Sequence, residues 1–362
     1  MPYADARRPE EDGLSLFDHD KSAERTPVSL ITGFLGSGKT TVLNHLLRHP
    51  EMNDSAVIVN EFGEIGLDHL LIAPVRGEIA VMANGCICCT VRSDLEEALR
   101  GLLAGRDSGE VPHFSRVLIE TTGLADPAPI VQMLLNNPLV SHFARLDAVV
   151  TTVDAVHGAA QLDTHREAVK QVAIADRLLL TKTDLTNGAD PASRAGADLV
   201  SKLRALNPAA PVLPVRDGAV DPADLFGAAL FDPAMKTADA RRWLKEEAYH
   251  DHAHHHRHAH GIEAFCLAFD QPVDWTKVSA WLAALRHSRG EALLRVKGIL
   301  ALQDEENPVV IHGVHHVFHP PVCLPGWPDD DHRSRIVFIT QGLGRAELLE
   351  AAEAFGVTAP MR

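Results

Sequence analysis

No stretch of this 362-residue chain stays apolar for the roughly 18–20 residues that a membrane span requires. A membrane-embedded protein is therefore not expected. Basic side chains are also short: 34 Lys and Arg face 49 Asp and Glu, a formal net charge of −15. Nucleic-acid binding wants a basic surface to meet phosphate, so that class of partner is disfavoured. The opening residues carry Asp5, Arg7, Arg8, Glu10, Glu11 and Asp12 and no apolar run, which argues against a secretory leader. There are only five cysteines, and three are crowded into four positions, so a disulfide framework is not expected. These absences point to a cytoplasmic protein with reduced thiols. No internal repeat relates the two halves.

Apolar residues at 46% and charged residues at 23% are ordinary for a globular chain. The length supports two domains with a sizeable core. Residues 1–26 read as a loose polar tail. From Pro27, short β-rich runs alternate with amphipathic segments: "VSLITG", "SAVIVNEFG", "RVLIETTG", "DAVVTTVDA" and "RLLLTKTD". That alternation defines an α/β domain with a mainly parallel sheet over 27–215. In such sheets ligands bind at the carboxyl ends of the strands, where these runs turn polar. Residues 216–261, rich in Asp, Ala and Pro and then in His, read as a linker with an insertion. From Ile262 to Arg362, four strand-like runs and two helical ones, "DWTKVSAWLAALRHS" and "GRAELLEAAEAFG", predict a smaller α+β domain.

"GFLGSGKT" at 33–40 matches the phosphate-loop pattern G-x-x-x-x-G-K-[ST] and sits between a strand and a helix. Gly33, Gly36, Ser37 and Gly38 bring backbone N–H groups around a phosphate. Lys39 supplies a point charge, Thr40 offers a hydroxyl to Mg²⁺, and Thr41 continues the helix whose N-terminus faces the anion. "TKTD" at 181–184 follows a strand and resembles the guanine signature of GTPases. Asp184 can accept from the paired donors of guanine, which adenine lacks, while the stem of Lys182 lies along the base. "LIETTG" places Glu120 at a strand end as a second Mg²⁺ ligand and Gly123 as a sensor of the terminal phosphate. Lys39, Thr40 and Glu120 form the expected catalytic set for hydrolysis of GTP. "NEFGEIGLD" adds Glu61, Glu64 and Asp68 where a nucleotide-sensing switch would fall, with Glu61 and Asp68 as further candidate ligands. A solvated acidic loop is the alternative.

"GCICCT" holds Cys86, Cys88 and Cys89. Three thiolates within four residues suit one soft or borderline divalent metal and leave a fourth tetrahedral position for release. A C-x-x-C redox pair usually opens a helix in a thioredoxin-like unit; a structural or redox role for the thiols is the competing reading. Cys266, in an apolar strand, is expected in the core. His250, His252, His254, His255, His256, His258 and His260 form a tract suited to weak, unselective metal binding, or a polar linker with no role. His312, His315, His316 and His319 are expected as core or surface histidines.

Together, "GFLGSGKTT", "NEFGEIGLD", "GCICCT", "ETTGLADPAP", "TKTD" and "LRVKGIL" resemble the CobW family of P-loop GTPases, relatives of the metallochaperones UreG and HypB, over roughly residues 27–357. The resemblance implies a GTP-dependent metallochaperone that carries Zn²⁺, or Co²⁺, to a client metalloprotein. A sensor or client-activation factor with slow hydrolysis, of the nitrile hydratase type, is the second reading. A metal- or GTP-dependent homodimer is a further expectation. A nucleotide-dependent kinase or ligase would need a second substrate pocket, for which no motif is found.

Overall fold

The computed structural model describes residues 25–60, 80–82, 91–185, 194–227 and 261–358. Glu61, Glu64, Asp68, Cys86, Cys88, Cys89 and the histidines of 250–260 lie outside them.

The first domain is built on seven strands: β1 (Thr26–Gly33), β2 (Ser55–Asn60), β3 (Ala80–Met82), β4 (Arg116–Glu120), β5 (Ala144–Asp154), β6 (Arg177–Thr181) and β7 (Val212–Pro214). Their order is β3-β2-β4-β1-β5-β6-β7, and every pairing is parallel. The helices are α1 (Lys39–Leu46), α2 (Val91–Ser108), α3 (Ala128–Asn136), α4 (Pro138–Ser141), α5 (Gly158–Thr164), α6 (Arg166–Ala173), α7 (Arg194–Leu206) and α8 (Pro222–Leu225). Strands buried on both faces need continuous apolar sequence rather than alternation, and Val28, Leu30 and Ile31 of β1 are fully buried. Between β4 and β5, β1 stands where the chain changes its direction of travel across the sheet. That is the point at which parallel sheets open a crevice for ligands.

Residues 216–227, assigned by composition to the linker, instead pack on this sheet. Leu225 and Phe226 join the core formed by Ile31, Val42 and Val57, and the Gly227 N–H donates to Asp147. Val220 packs on the same core, and Arg177 Nε donates to the Asp224 carbonyl at 2.9 Å.

The second domain is antiparallel: β8 (Ile262–Phe269), β9 (Leu293–Leu300), β10 (Val309–Val314), β11 (Val317–Phe318), β12 (Val322–Cys323) and β13 (Ser334–Gln341), with α9 (Trp275–Arg289) and α10 (Arg345–Ala354). The order is β11-β10-β9-β13-β8, with β12 also on β10. Asp274 caps α9 by accepting from the N–H groups of Thr276 and Lys277. Trp281, fully buried, packs against Phe269 and Phe338. The run "NPVVIHGVHHVFH" makes a hairpin, not one strand: β10 pairs with β11, and His315 takes a φ of 53° between them. His312 and His315 are buried while His316 is exposed; Cys266 is buried in β8.

The domains meet along α6, α7 and the α6–β6 turn, and again at α3, where Gln132 Nε2 donates to the Val314 carbonyl of β10 at 3.4 Å. Ile262, Leu294 and Ile339 share a core cluster with Val169, Val172 and Leu203. At the same seam Asp176 pairs with Arg295 and with Lys297 (2.8 Å).

Candidate functional site

The phosphate loop leaves the end of β1 with Gly33, Gly36 and Gly38 at φ of 141°, 69° and 91°. At Gly33 a Cβ would come within 2.3 Å of Thr152 Oγ1 and 2.7 Å of Ser37 Oγ. The close approach to β5 is therefore open only to glycine. Ser37 is fully buried and its Oγ is turned to Thr152 Oγ1 at 2.6 Å, while its carbonyl accepts from Thr181 Oγ1 at 2.6 Å. The loop is thus tied to β5 and β6 behind it. Lys39 Nζ donates to the carbonyls of Gly33 (3.0 Å) and Phe34 (3.1 Å), folded back over the hollow of its own loop. Thr41 is exposed on α1, with its carbonyl against Gly218.

Eighty residues separate Thr40 from Glu120 in sequence, yet Thr40 Oγ1 donates to Glu120 Oε1 at 2.7 Å. The strand order does this, because β4 lies beside β1 and their carboxyl ends are level. A hydroxyl and a buried carboxylate form a hard oxygen pair, a donor set that fits Mg²⁺. Three residues on, Gly123 lies so close to the loop that a Cβ would meet the Leu35 main-chain N at 2.7 Å. The candidate sensor of terminal phosphate therefore touches the phosphate loop itself. Gln171 on α6 holds it there, donating through Nε2 to the carbonyls of Gly123 (3.2 Å) and Ala125 (3.0 Å).

On the other side of β1, Lys182 Nζ donates to Asp154 Oδ2 at 2.7 Å. Asp154 Oδ1 accepts from the N–H groups of Val156 (2.7 Å) and His157 (3.1 Å). Burial works to raise the Asp154 carboxyl, but Lys182 and the two amides outweigh it and hold the group below the ordinary carboxylate range. Lys182 has a φ of 57°, a left-handed conformation uncommon for a side chain of its size and typical of functional turns. Asp184 is exposed just beyond it, free to meet a base edge. Thr183 Oγ1 donates to the Val215 carbonyl at 3.1 Å and anchors the turn.

The structure brings together Lys39, Thr40, Glu120 and Gly123 at the phosphate loop and sets Lys182 and Asp184 on the adjoining strand end. Sequence reasoning passed over Thr152, Asp154 and Gln171. Asp154 had a signal, a carboxylate closing the apolar run "DAVVTTVD". Gln171 had none beyond a polar residue in an amphipathic helix.

A strand–loop–helix phosphate cradle, a hydroxyl–carboxylate pair beneath it and a Lys–Asp turn at the next strand end define a P-loop G domain. Residues 27–214 match the family described as CobW/HypB/UreG, nucleotide-binding domain, and residues 262–355 match the cobalamin synthesis protein cobW C-terminal domain. The chain belongs to this family, and it is a P-loop GTPase. It is similar to the zinc chaperone YjiA of Escherichia coli, 36% identical over 327 residues, covering 90% of this chain and 96% of the relative. The zinc chaperone CobW of Pseudomonas aeruginosa is 32% identical over 379 residues, covering 95% and 93%. The crystal structure of Zn(II)-bound YjiA GTPase from E. coli aligns with a TM-score of 0.67 at 31% identity, covering 91% of this chain and 99% of that one. Among the described residues no helix is long and apolar enough to cross a membrane.

Proposed function

We propose that the protein is a GTP-hydrolysing metallochaperone whose cargo is Zn²⁺, held by Cys86, Cys88 and Cys89 and passed to a client metalloprotein under control of the nucleotide. The observation that carries the reading is the similarity to zinc chaperones over nearly the whole of both chains. The fold adds a physical reason for coupling. β3, which ends at Met82, runs parallel to β1, so its carboxyl end lies on the same sheet edge as the phosphate loop. Three thiolates form an incomplete tetrahedral set, suited to a metal that must be given up.

In this reading Asp184 accepts from the paired donors of guanine and Lys182, held by Asp154, lies along the base. Thr40 and Glu120 hold Mg²⁺, which neutralises charge on the phosphates when bound. Lys39 leaves the carbonyls of Gly33 and Phe34 for the terminal phosphate and stabilises the charge that develops as water attacks the terminal phosphorus and the bond to the GDP oxygen breaks. The histidines of 250–260 add weak capacity around the tight site. GTP or metal brings two copies together as a homodimer.

The test is Zn²⁺ and Co²⁺ affinity by competition with a chromophoric chelator, in three states: nucleotide-free, with a non-hydrolysable GTP analogue, and with GDP. Cys86→Ala, Cys88→Ala and Cys89→Ala identify the site observed. Metal should bind about 5–150-fold tighter with the GTP analogue, the range of ordinary couplings. Identical affinities in all three states would sink the proposal. The alternative, a client-activation factor, has its own support in a 36% match over 177 residues to a zinc-regulated GTPase metalloprotein activator of Schizosaccharomyces pombe. A client bound and activated without receiving metal would favour it.

A further inference from the structure

Helix α6 has eight residues, about 12 Å of length at 1.5 Å per residue, yet it meets three separate parts of the molecule. At its start the His165 ring stacks on Phe34 of the phosphate loop, centroids 4.5 Å apart. Along its length it grips the loop after Glu120. Gln171, fully buried, donates to the carbonyls of Gly123 and Ala125, and Lys170 Nζ donates to Asp126 Oδ2 at 2.7 Å. Just past its end the Ile174 carbonyl accepts from Arg295 on β9, and Arg295 and Lys297 both pair with Asp176. Val169 and Val172 pack in one cluster with Leu294 and Ile339 of the second domain.

We propose that α6 carries the state of the phosphate site to the C-terminal domain, and that Gln171 is the positioning residue through which it does so. The inference rests on the reading that Gly123 follows the terminal phosphate. If that loop shifts, the buried Gln171 amide either moves with it or loses both acceptors in a place that water does not reach, and the second outcome is the costlier. A helix of two turns, bonded internally, moves as one body. Its far end is fixed to β9 by the Arg295 bonds, so β9 feels the displacement. Because linkage is reciprocal, a partner that docks on the C-terminal domain and shifts β9 alters nucleotide affinity by the same factor.

The experiment is amide hydrogen exchange on the full chain with GDP and with a non-hydrolysable GTP analogue, reading 121–126 and 293–300. In the unmodified protein both segments should exchange at rates that differ between nucleotides by about fivefold or more, the lower end of ordinary coupling. In Gln171→Met the difference should persist at 121–126 and vanish at 293–300. A purely structural loss would change exchange in both nucleotide states alike. If Gln171→Met does not fold, Lys170→Met is read the same way, with the difference at 293–300 reduced at least twofold. A difference at 293–300 that survives undiminished in the variant overturns the relay while leaving the phosphate-sensing reading intact. Silence at 121–126 in the unmodified protein overturns both, and separates that failure from the first.

Discussion

Replacing Asp154 with Asn removes one charge and keeps the shape. Asp154 is buried, with 1% of its surface exposed, and one of its oxygens receives two main-chain N–H bonds that Asn can also accept. The other oxygen faces Lys182 Nζ at 2.7 Å. There Asn presents an N–H₂ donor to an ammonium, and the pair is lost. At an effective dielectric constant of about 20, unit charges this close attract by about 6 kcal/mol before desolvation. The net value of a hydrogen bond to a charged group is about 1.5–3 kcal/mol. With the Lys182 side chain 33% exposed, screening puts this pair at the lower end. Among the described residues Asp154 is the partner of the Lys182 ammonium, so losing the bond loosens the Lys182 stem. A loss of about 1.5 kcal/mol corresponds to about tenfold in Kd.

The assay is calorimetric titration of Asp154→Asn with GDP and with a GTP analogue, alongside steady-state GTP hydrolysis. Kd should rise about tenfold for both nucleotides and kcat should change less than twofold, because Lys39, Thr40 and Glu120 are untouched. In the unmodified protein the Asp154 contribution is present above the ordinary carboxylate value of 3.8 and is lost as pH falls through its lowered folded value. Affinity should therefore show no titration of this group between pH 5 and 8. An unchanged Kd with kcat down a hundredfold would refute the reasoning, since Asp154 would then act on the phosphates rather than on the base.

Much of the phosphate site was legible because its chemistry is contiguous: glycines, Lys39 and Thr40 fall in eight positions, and one strand–loop–helix unit places them. Glu120 was legible for a different reason. Parallel sheets put every strand end on one edge, so an acid closing an apolar run lands near the loop whichever strand it closes. Side-chain direction was not legible. Ser37 is expected to offer its backbone N–H to a phosphate, and nothing in the sequence says that its hydroxyl turns to Thr152, a partner 115 residues away. The domain seam was hidden too, although "LRVKG" carried a clue. Arg295 and Lys297 are two apart, on one face of a strand, and two cations on one buried face require a carboxylate from elsewhere. Nothing local says that the carboxylate is Asp176. The assignment of 216–227 to a linker failed because composition averages over Asp and Pro, while docking rests on a few apolar side chains, Leu225 and Phe226 foremost, and on main-chain bonds such as Gly227 N–H to Asp147.

Lys39→Ala should abolish GTP turnover while the protein stays folded, since the bonds its ammonium makes to the Gly33 and Phe34 carbonyls lie within its own loop; full activity would remove the phosphate loop from the mechanism. The seam yields a sharper contrast, read by chemical denaturation. Asp176 would be raised by burial, but Arg295 and Lys297 beside it hold it well below the carboxylate range. Removing one partner of a buried pair costs about 3–5 kcal/mol, so Arg295→Met should destabilise by that much. Lys297 is in a different position. Burial and then the Arg295 charge push it from 10.5 down to about 8, so its ammonium is poorly tolerated where it sits. Lys297→Met leaves the Arg295–Asp176 pair intact and should cost less than about 1.5 kcal/mol. The two proteins also differ in pH dependence. Between about 8 and 10.5 the unfolded chain keeps the Lys297 proton that the folded chain has released, so this residue makes stability rise with pH across that window. Lys297→Met should abolish that part of the rise. Equal losses in the two variants would show that Asp176 does not depend chiefly on Arg295, and an identical pH profile with and without Lys297 would show that folding does not lower the Lys297 ammonium.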